Sequence, residues 1–175
     1  MDLKLLIRTI PDYPKPGIMF RDITTLLENP LGFSQSIKNL SELCSDIEFN
    51  IIAGIEARGF IIGSALAFNL SKGFVPIRKK GKLPGETVGI NYNLEYGSDR
   101  IEIHKDSIVE NQKILLVDDL VATGGTALAS IKLLQEMGAI VSSCLFLVDL
   151  PDLGGSKLIN QKGIPVKHLL EFDGD

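Results

Sequence analysis

The sequence predicts an α/β fold in which a Rossmann-like parallel sheet carries helices on both faces. Short apolar runs that suit buried strands alternate with helical stretches, and such alternation is typical of right-handed strand–helix–strand units. Polar, glycine-containing segments directly follow several of these strands. In open α/β sheets ligands bind beyond the carboxyl ends of the strands. We therefore expect the functional residues at one rim of the sheet.

The first third of the chain predicts mainly helices. Residues 2–10 have the pattern of a short amphipathic helix, and the three prolines of 11–17 exclude regular structure there. Asp22 is placed to cap a helix that runs to Leu27. A longer helix over 32–44 follows from apolar residues at helical spacing, namely Phe33, Ile37, Leu40 and Cys44.

In the middle of the chain the spacing of apolar residues changes, and strands are predicted as well as a helix. Residues 49–55 form a short apolar run that predicts a buried strand, and 60–70 is apolar nearly all round, as in a helix packed on both sides. A short strand is predicted at 74–77, and the basic, glycine-containing stretch 78–86 predicts a mobile loop. Residues 87–103 alternate in two runs around the polar segment EYGSD, which predicts a hairpin.

The last third holds the strongest strand signal, KILLVDDL at 113–120. The segment ATGGT then opens a helix that places Ala127, Ile131 and Leu134 on one face. Further strands are predicted at 139–150 and 166–172. The chain has no internal repeat or linker, so we expect a single domain over residues 1–175.

Composition excludes several classes of protein. The formal net charge of −4 leaves no broad excess of Lys and Arg, which argues against a nucleic-acid partner. The N-terminal apolar stretch is short and interrupted by charges, and no long uncharged run occurs, so we expect neither a signal peptide nor a membrane span. Cys44 and Cys144 form no CxxC pair and have no nearby His or Cys in sequence, and we interpret them as buried, reduced thiols of a cytoplasmic protein.

The chemistry is concentrated in ILLVDDLVATGGT, residues 114–126. The apolar run delivers Asp118 and Asp119 to the end of a strand, where adjacent carboxylates are tolerated only with compensating cations or hydroxyl groups. The glycines and hydroxyls that follow lie at a helix N-terminus, which favours a phosphate. Acceptors for sugar hydroxyls beside donors for a phosphate fit a 5-phosphorylated ribose.

Simpler interpretations exist for each half of this motif. The acid pair alone is compatible with a solvated turn, and ATGGT alone with an ordinary helix cap. Both halves joined directly after a buried strand are far more specific. The P-loop pattern GxxxxGK[ST] and the dinucleotide fingerprint GxGxxG are both absent from the chain.

The motif resembles the PRPP-binding signature of type I phosphoribosyltransferases. The resemblance implies that Asp118 and Asp119 hold the ribose hydroxyls, and that the 5′-phosphate binds to Ala122, Thr123, Gly124, Gly125 and Thr126. It also implies the fold of that family, with a small N-terminal and hairpin hood from residues 1–30 and a flexible loop at about 78–105. Four more segments resemble the adenine-specific members in the same order, PGIMFRDIT, GIEARGF, IRKKGKLPGET and LEYGSDRIEIHKD.

These segments imply further site residues. Arg58 lies at the position of the family's pyrophosphate loop, with a catalytic role, and a planar donor fork suits that anion. Arg78 and Lys82 would also bind pyrophosphate, with a reach that extends to the partner subunit's site. Glu95 would approach the base as a catalytic group. The base itself would be held by Met19, Phe20 and Arg21.

Each of these residues also has an interpretation without a function. Arg58 can be a surface arginine paired with Glu56, and the basic loop a solvated run of charges in which Lys79 and Lys80 are surface residues. Phe20 can be a core residue. We interpret His104 and His168 as structural, because neither has a third partner in the predicted strands.

The resemblance implies transfer of the 5-phosphoribosyl group from PRPP to adenine, giving AMP and pyrophosphate. It further implies Mg²⁺ as cofactor, held by PRPP and water without direct protein ligands, and a homodimer. One alternative is the same reaction with hypoxanthine, guanine, xanthine or orotate. The other is a non-catalytic regulator that senses PRPP. Such regulators usually carry a DNA-binding domain or a basic face, and from the length and charge of this sequence we expect neither.

Overall fold

The computed structural model describes residues 1–94 and 97–174. Its strands are β1 Arg8–Pro11, β2 Met19–Asp22, β3 Ile51–Ile55, β4 Gly73–Lys79, β5 Thr87–Leu94, β6 Gly97–His104, β7 Lys113–Val121, β8 Ile140–Asp149 and β9 Val166–Glu171. Its α-helices are α1 Thr24–Glu28, α2 Pro30–Leu43, α3 Arg58–Asn69, α4 Gly125–Glu136 and α5 Gly155–Gln161. Short 3-10 turns span Leu3–Leu6 and Pro151–Leu153.

Seven strands form one mostly parallel sheet in the order β5-β6-β4-β3-β7-β8-β9. Strands β4, β3, β7, β8 and β9 pair in parallel, and the β5–β6 hairpin extends the sheet antiparallel to β4. Successive residues of β7 enter opposite core clusters, since Ile114 and Leu116 pack with α4 while Leu115 and Val117 pack with α2 and α3. This period of two, with helices on both faces, confirms the predicted fold class.

The prediction of a helix over 2–10 was wrong. Only Leu3–Leu6 is helical, as a 3-10 turn, and Arg8–Pro11 forms β1, which pairs antiparallel with β2. The Arg8 guanidinium is hydrogen-bonded to Asp22 across this hairpin and, with Thr24, lowers the pKa of the Asp22 carboxyl to about 2. The hairpin pairs the backbone of Arg8–Pro11 with β2 and brings Arg8 to Asp22 across the two strands.

The basic stretch 78–86 also differs from its prediction. Arg78 and Lys79 belong to β4, where they pair with Glu102 and Ile101 of β6. Gly97, Ser98 and Asp99 of the predicted polar segment EYGSD belong to β6, which begins at Gly97. Helix α5 was missed, since its seven residues carry too few apolar positions to show a periodic pattern.

The parallel pairing brings three strand ends together. Strands β3, β7 and β8 are neighbours, and their carboxyl ends lead into α3, into α4 and into the turn Pro151–Leu153, respectively. These connections form one rim of the sheet, as predicted. In the part of the chain that the structure describes, no helix has the length and apolar character needed to cross a membrane.

Candidate active site

A cavity of about 1010 Å³ opens at this rim. One side consists of the segment between β1 and β2 together with β2 itself, and the other side is formed by the connections after β7 and β8. Its lining residues are Pro16, Gly17, Ile18, Met19, Phe20, Arg21, Arg58, Asn93, Asp118, Leu120, Val121, Ala122, Thr123, Gly124, Gly125, Thr126, Ala127, Leu150 and Leu153. Such a mixture of apolar walls and a few convergent polar groups is typical of a small-molecule site.

The loop between β7 and α4 supplies backbone donors to the cavity. Gly124 stands at the N-cap of α4. Its φ of +82° lies in the left-handed region, which glycine adopts without a steric penalty. Among the described residues, no side chain caps this helix. Its first N–H groups and the positive end of its dipole therefore face the cavity, an arrangement that suits an anion.

The two adjacent acids lie in different environments. Asp118 lines the cavity, and its Oδ1 accepts a hydrogen bond of 2.8 Å from the Asp119 backbone N–H. Asp119 is only 4% exposed, and its Oδ2 lies 2.8 Å from Arg58 Nε. The Asp119 oxygen nevertheless has no partner in hydrogen-bond geometry. We conclude that the contact with Arg58 is ionic and imperfectly aligned.

Burial sets the protonation of this pair. It raises the pKa of Asp118 well above its usual range, and the neighbouring Asp119 charge raises it further. Burial also raises the pKa of Asp119, although the Arg58 guanidinium opposes this change. Since two close carboxylates in a buried site favour a shared proton, the pair needs additional cations or donors before both groups ionise.

A glycine allows the acid pair to approach α3. A Cβ atom at Gly59 would lie 2.6 Å from Asp118 Oδ1 and 3.0 Å from Val117 O. No larger residue fits there without displacing the carboxylate. The first turn of α3 therefore contacts the end of β7 directly, which places Arg58 beside the acids.

Arg58 and Arg78 have different carboxylate partners. Glu56 accepts hydrogen bonds from Arg78 Nε at 3.1 Å and from the Lys79 backbone N–H at 2.9 Å. Burial alone would raise the pKa of Glu56, but these donors lower it below its usual range. The alternative in which Arg58 pairs with Glu56 is therefore wrong in this structure, because Arg78 occupies that carboxylate and Arg58 contacts Asp119.

The hood residues form the opposite wall. The Phe20 ring packs edge-on against Tyr13 at 5.2 Å, and Arg58 Cζ lies 5.5 Å from its centroid. Arg21 donates to Thr9 Oγ1 at 2.6 Å and lies over the Phe172 ring at 4.7 Å. Phe20 is half-buried rather than part of the core, so its ring is available to a flat ligand.

His168 has more partners than the sequence indicated. Its Nδ1 lies 3.4 Å from Asp149 Oδ2 and its Nε2 lies 3.3 Å from Glu171 Oε2. The prediction that it lacks a third partner was therefore wrong. The pairing of β8 with β9 brings Asp149 to it, and Glu171 lies three residues further along the same strand. Within residues 1–94 and 97–174, no three His, Cys, Asp or Glu side chains are grouped closely enough to hold a metal ion.

Comparison with known proteins identifies the family. The family model described as "Phosphoribosyl transferase domain" matches residues 22–162. An adenine phosphoribosyltransferase of Chlorobaculum parvum is 58% identical over 177 aligned positions, which cover 100% of both chains. This chain belongs to the phosphoribosyltransferase family.

Solved phosphoribosyltransferase structures share the whole fold. An adenine phosphoribosyltransferase of Thermoanaerobacter pseudethanolicus has a TM-score of 0.93 and 48% identity, with 98% of each chain covered. That of Saccharomyces cerevisiae, complexed with an imino-altritol bisphosphate and adenine, has a TM-score of 0.88 and 38% identity, covering 95% of this chain and 96% of that one. The predicted resemblance to the family, and its type of fold, are confirmed.

Ten of the residues singled out from the phosphoribosyltransferase resemblance line one cavity. They are Met19, Phe20, Arg21, Arg58, Asp118, Ala122, Thr123, Gly124, Gly125 and Thr126. Asp119 is not among the lining residues, but it contacts Arg58, which is. Arg78 and Lys82 are not among the lining residues. Glu95 lies outside the described residues.

Sequence reasoning missed other lining residues. Leu150 and Leu153 form an apolar wall after β8, and Asn93 reaches the cavity from β5. The signal for the first two was available, because LPDLGG follows a buried strand at the same rim as the acid pair. Asn93 carried no such signal, since its approach depends on how the hairpin packs against α4.

Proposed function

We propose that this chain transfers the 5-phosphoribosyl group from PRPP to adenine, giving AMP and pyrophosphate. The observation that carries the proposal is the single cavity that joins Asp118, the backbone of Ala122–Thr126 and the Phe20 wall. These three kinds of surface suit a ribose, a phosphate and a flat base, respectively. The similarity of this chain to the adenine phosphoribosyltransferases of C. parvum and T. pseudethanolicus supports this proposal.

The ribose and its phosphate occupy the side of the cavity formed by β7 and α4. The N–H groups of Ala122, Thr123, Gly124, Gly125 and Thr126 hold the 5′-phosphate at the helix N-terminus. Asp118 and Asp119 accept hydrogen bonds from the ribose hydroxyls. When the bond at C1′ breaks, positive charge develops on the ribose, and the two carboxylates stabilise it if both are ionised.

Arg58 links the acids to the leaving group. Its guanidinium contacts Asp119 in the structure, which favours the ionised form of that carboxylate. Its other N–H groups can donate to the pyrophosphate that departs from C1′. We assign Arg78 and Lys82 to pyrophosphate in the partner subunit's site, because both lie outside this subunit's cavity.

The base lies against the hood. Phe20 stacks on the adenine ring, a contact worth ~1–3 kcal/mol, and the backbone of Met19 and Arg21 reads the edge of the base. Glu95 accepts the proton that the base nitrogen loses when it bonds to C1′. This glutamate enters the proposal through the family resemblance alone.

The residues fit Mg²⁺ that arrives with PRPP. The described residues offer the acid pair but no cluster of three ligating side chains, and Mg²⁺ commonly binds through substrate oxygens and water. Bound in this way, it neutralises charge on the departing pyrophosphate. The protein residues contribute by holding the ribose hydroxyls and by closing the cavity to water.

We further propose a cytoplasmic homodimer. Ile61 and Phe68 are 42% and 89% exposed on α3, two turns apart on one face, and a second copy of the chain would cover them. A dimer would also bring Arg78 and Lys82 toward a second cavity. Residues 1–175 act as one domain in this proposal.

We expect adenine to be used at least about tenfold better than hypoxanthine or guanine, measured as kcat/KM with PRPP and Mg²⁺. Adenine presents an N–H₂ donor where hypoxanthine presents a carbonyl acceptor. A backbone carbonyl that accepts from adenine would face an oxygen in hypoxanthine, at a cost of ~1–3 kcal/mol or more. Comparable kcat/KM values for adenine and hypoxanthine would overturn the choice of base and leave the transfer chemistry standing.

A further inference from the structure

The start of α5 contacts the loop after β7 through backbone atoms alone. The Gly155 N–H donates a hydrogen bond of 2.9 Å to Ala122 O. A Cβ atom at Gly155 would lie 2.3 Å from that oxygen and 2.6 Å from Gly124 N, whereas real Cβ contacts essentially never fall below 3.0 Å. The close approach therefore requires glycine at position 155.

The contact is reciprocal. A Cβ atom at Gly124 would lie 2.9 Å from Gly155 Cα. The atoms on both sides belong to the backbone, so no side-chain rotation can relieve an added methyl group. Helix α5 is anchored by Ile159, which is fully buried in the core. An added methyl group at position 155 would consequently displace the loop of Ala122–Gly124 rather than α5.

The same segment also carries an apolar wall of the cavity. Leu153 lines the cavity two residues before Gly155. The turn that holds Leu153 is closed by a hydrogen bond of 3.0 Å from Gly154 N to Pro151 O. The contact at Gly155 thus sets the distance between this wall and the backbone donors of the loop. Displacements of about 1 Å in such donors have large effects on binding and catalysis.

We propose that Gly155 is a positioning residue, which holds the backbone N–H groups of Ala122–Gly125 in place for the 5′-phosphate of PRPP and AMP. The inference rests on the proposed function for the identity of that phosphate. It assigns a role in phosphate binding to a residue that lies outside the cavity lining and 33 positions from Ala122 in the sequence.

The adjacent glycine provides a matched control. Gly154 has φ +78°, so Gly154→Ala introduces backbone strain, but its added Cβ would meet nothing within 4 Å. Gly155→Ala adds no strain from a positive φ, but forces its Cβ into the loop. The two variants separate a loss of local stability from a displacement of the phosphate-binding backbone.

The test is to compare the two variants by calorimetric titration with AMP and with pyrophosphate, and by steady-state kinetics. For Gly155→Ala we expect Kd for AMP and KM for PRPP to rise at least about tenfold, with Kd for pyrophosphate unchanged. For Gly154→Ala we expect a lower Tm and an AMP affinity within about threefold of the parent chain. Equal AMP affinities in the two variants would overturn the proposal.

A measurement on the unaltered chain covers the case in which Gly155→Ala does not fold. Hydrogen exchange of the Gly155 amide should slow when AMP or inorganic phosphate binds, because the bound phosphate fixes its acceptor, Ala122 O. Unchanged exchange of this amide at saturating AMP would contradict the inference. Failure of the parent chain to make AMP from adenine would instead refute the proposed function. The titrations with AMP and the hydrogen-exchange measurement would still decide the role of Gly155.

Discussion

The double variant Asp118→Asn, Asp119→Asn should lose at least about three orders of magnitude in kcat while keeping its fold. The amides match the carboxylates in shape but cannot stabilise positive charge at C1′. The fold should survive because the substitution also removes the repulsion between two buried acids. Arg58, left without its partner, is 37% exposed and can be hydrated. Turnover and the far-ultraviolet circular dichroism spectrum check the two parts of this expectation.

Asp46→Asn is the matched control for that variant. Asp46 pairs with Lys167 and lies away from the cavity lining, so its loss should leave turnover close to that of the parent chain. Near-normal turnover in the folded double variant would rule out the role of the acid pair at the ribose.

Arg58→Gln should lower kcat/KM for PRPP by about 100-fold and move the acid limb of the pH profile upward. The Arg58 charge opposes the increase in the pKa of Asp119 that burial causes. Its removal should raise that pKa further, so a smaller fraction of Asp119 is ionised at a given pH. The acid limb should therefore shift to higher pH. A profile of kcat/KM from acid to neutral pH measures this shift.

Arg100→Gln is the control, because Arg100 pairs with Glu102 at 2.9 Å and does not line the cavity. It should change neither kcat/KM nor the pH profile. If Arg58→Gln lowered activity with an unmoved acid limb, Arg58 would act on pyrophosphate alone, and its proposed effect on Asp119 would be wrong.

The elements that were predicted correctly are those whose pattern lies within one continuous stretch of sequence. The unit formed by β7, the loop and α4 was predicted because an apolar run, two acids and a glycine-rich helix start are contiguous in residues 113–126. The parallel core followed from the alternation of strands and helices. In each of these cases a short stretch carries its own hydrophobic period.

The errors arose where distant residues decide the outcome. Residues 2–10 have a pattern compatible with a helix, but pairing with β2 and the contact between Arg8 and Asp22 make Arg8–Pro11 a strand. The partner of Arg58 is Asp119, far along the chain, and not the nearby Glu56. Gly155 was missed because its close approach to the loop follows from how the chain packs after β8, which no local sequence pattern reveals.

The most direct test of the account is to incubate the chain with PRPP, Mg²⁺ and each purine base in turn, and to measure nucleotide and pyrophosphate. We predict that adenine gives AMP and pyrophosphate in equal amounts, that product depends on PRPP, and that the Asp118→Asn, Asp119→Asn variant gives almost none. Absence of nucleotide with every base, from a folded protein that binds AMP, would contradict the account and favour a protein that senses nucleotides without catalysis.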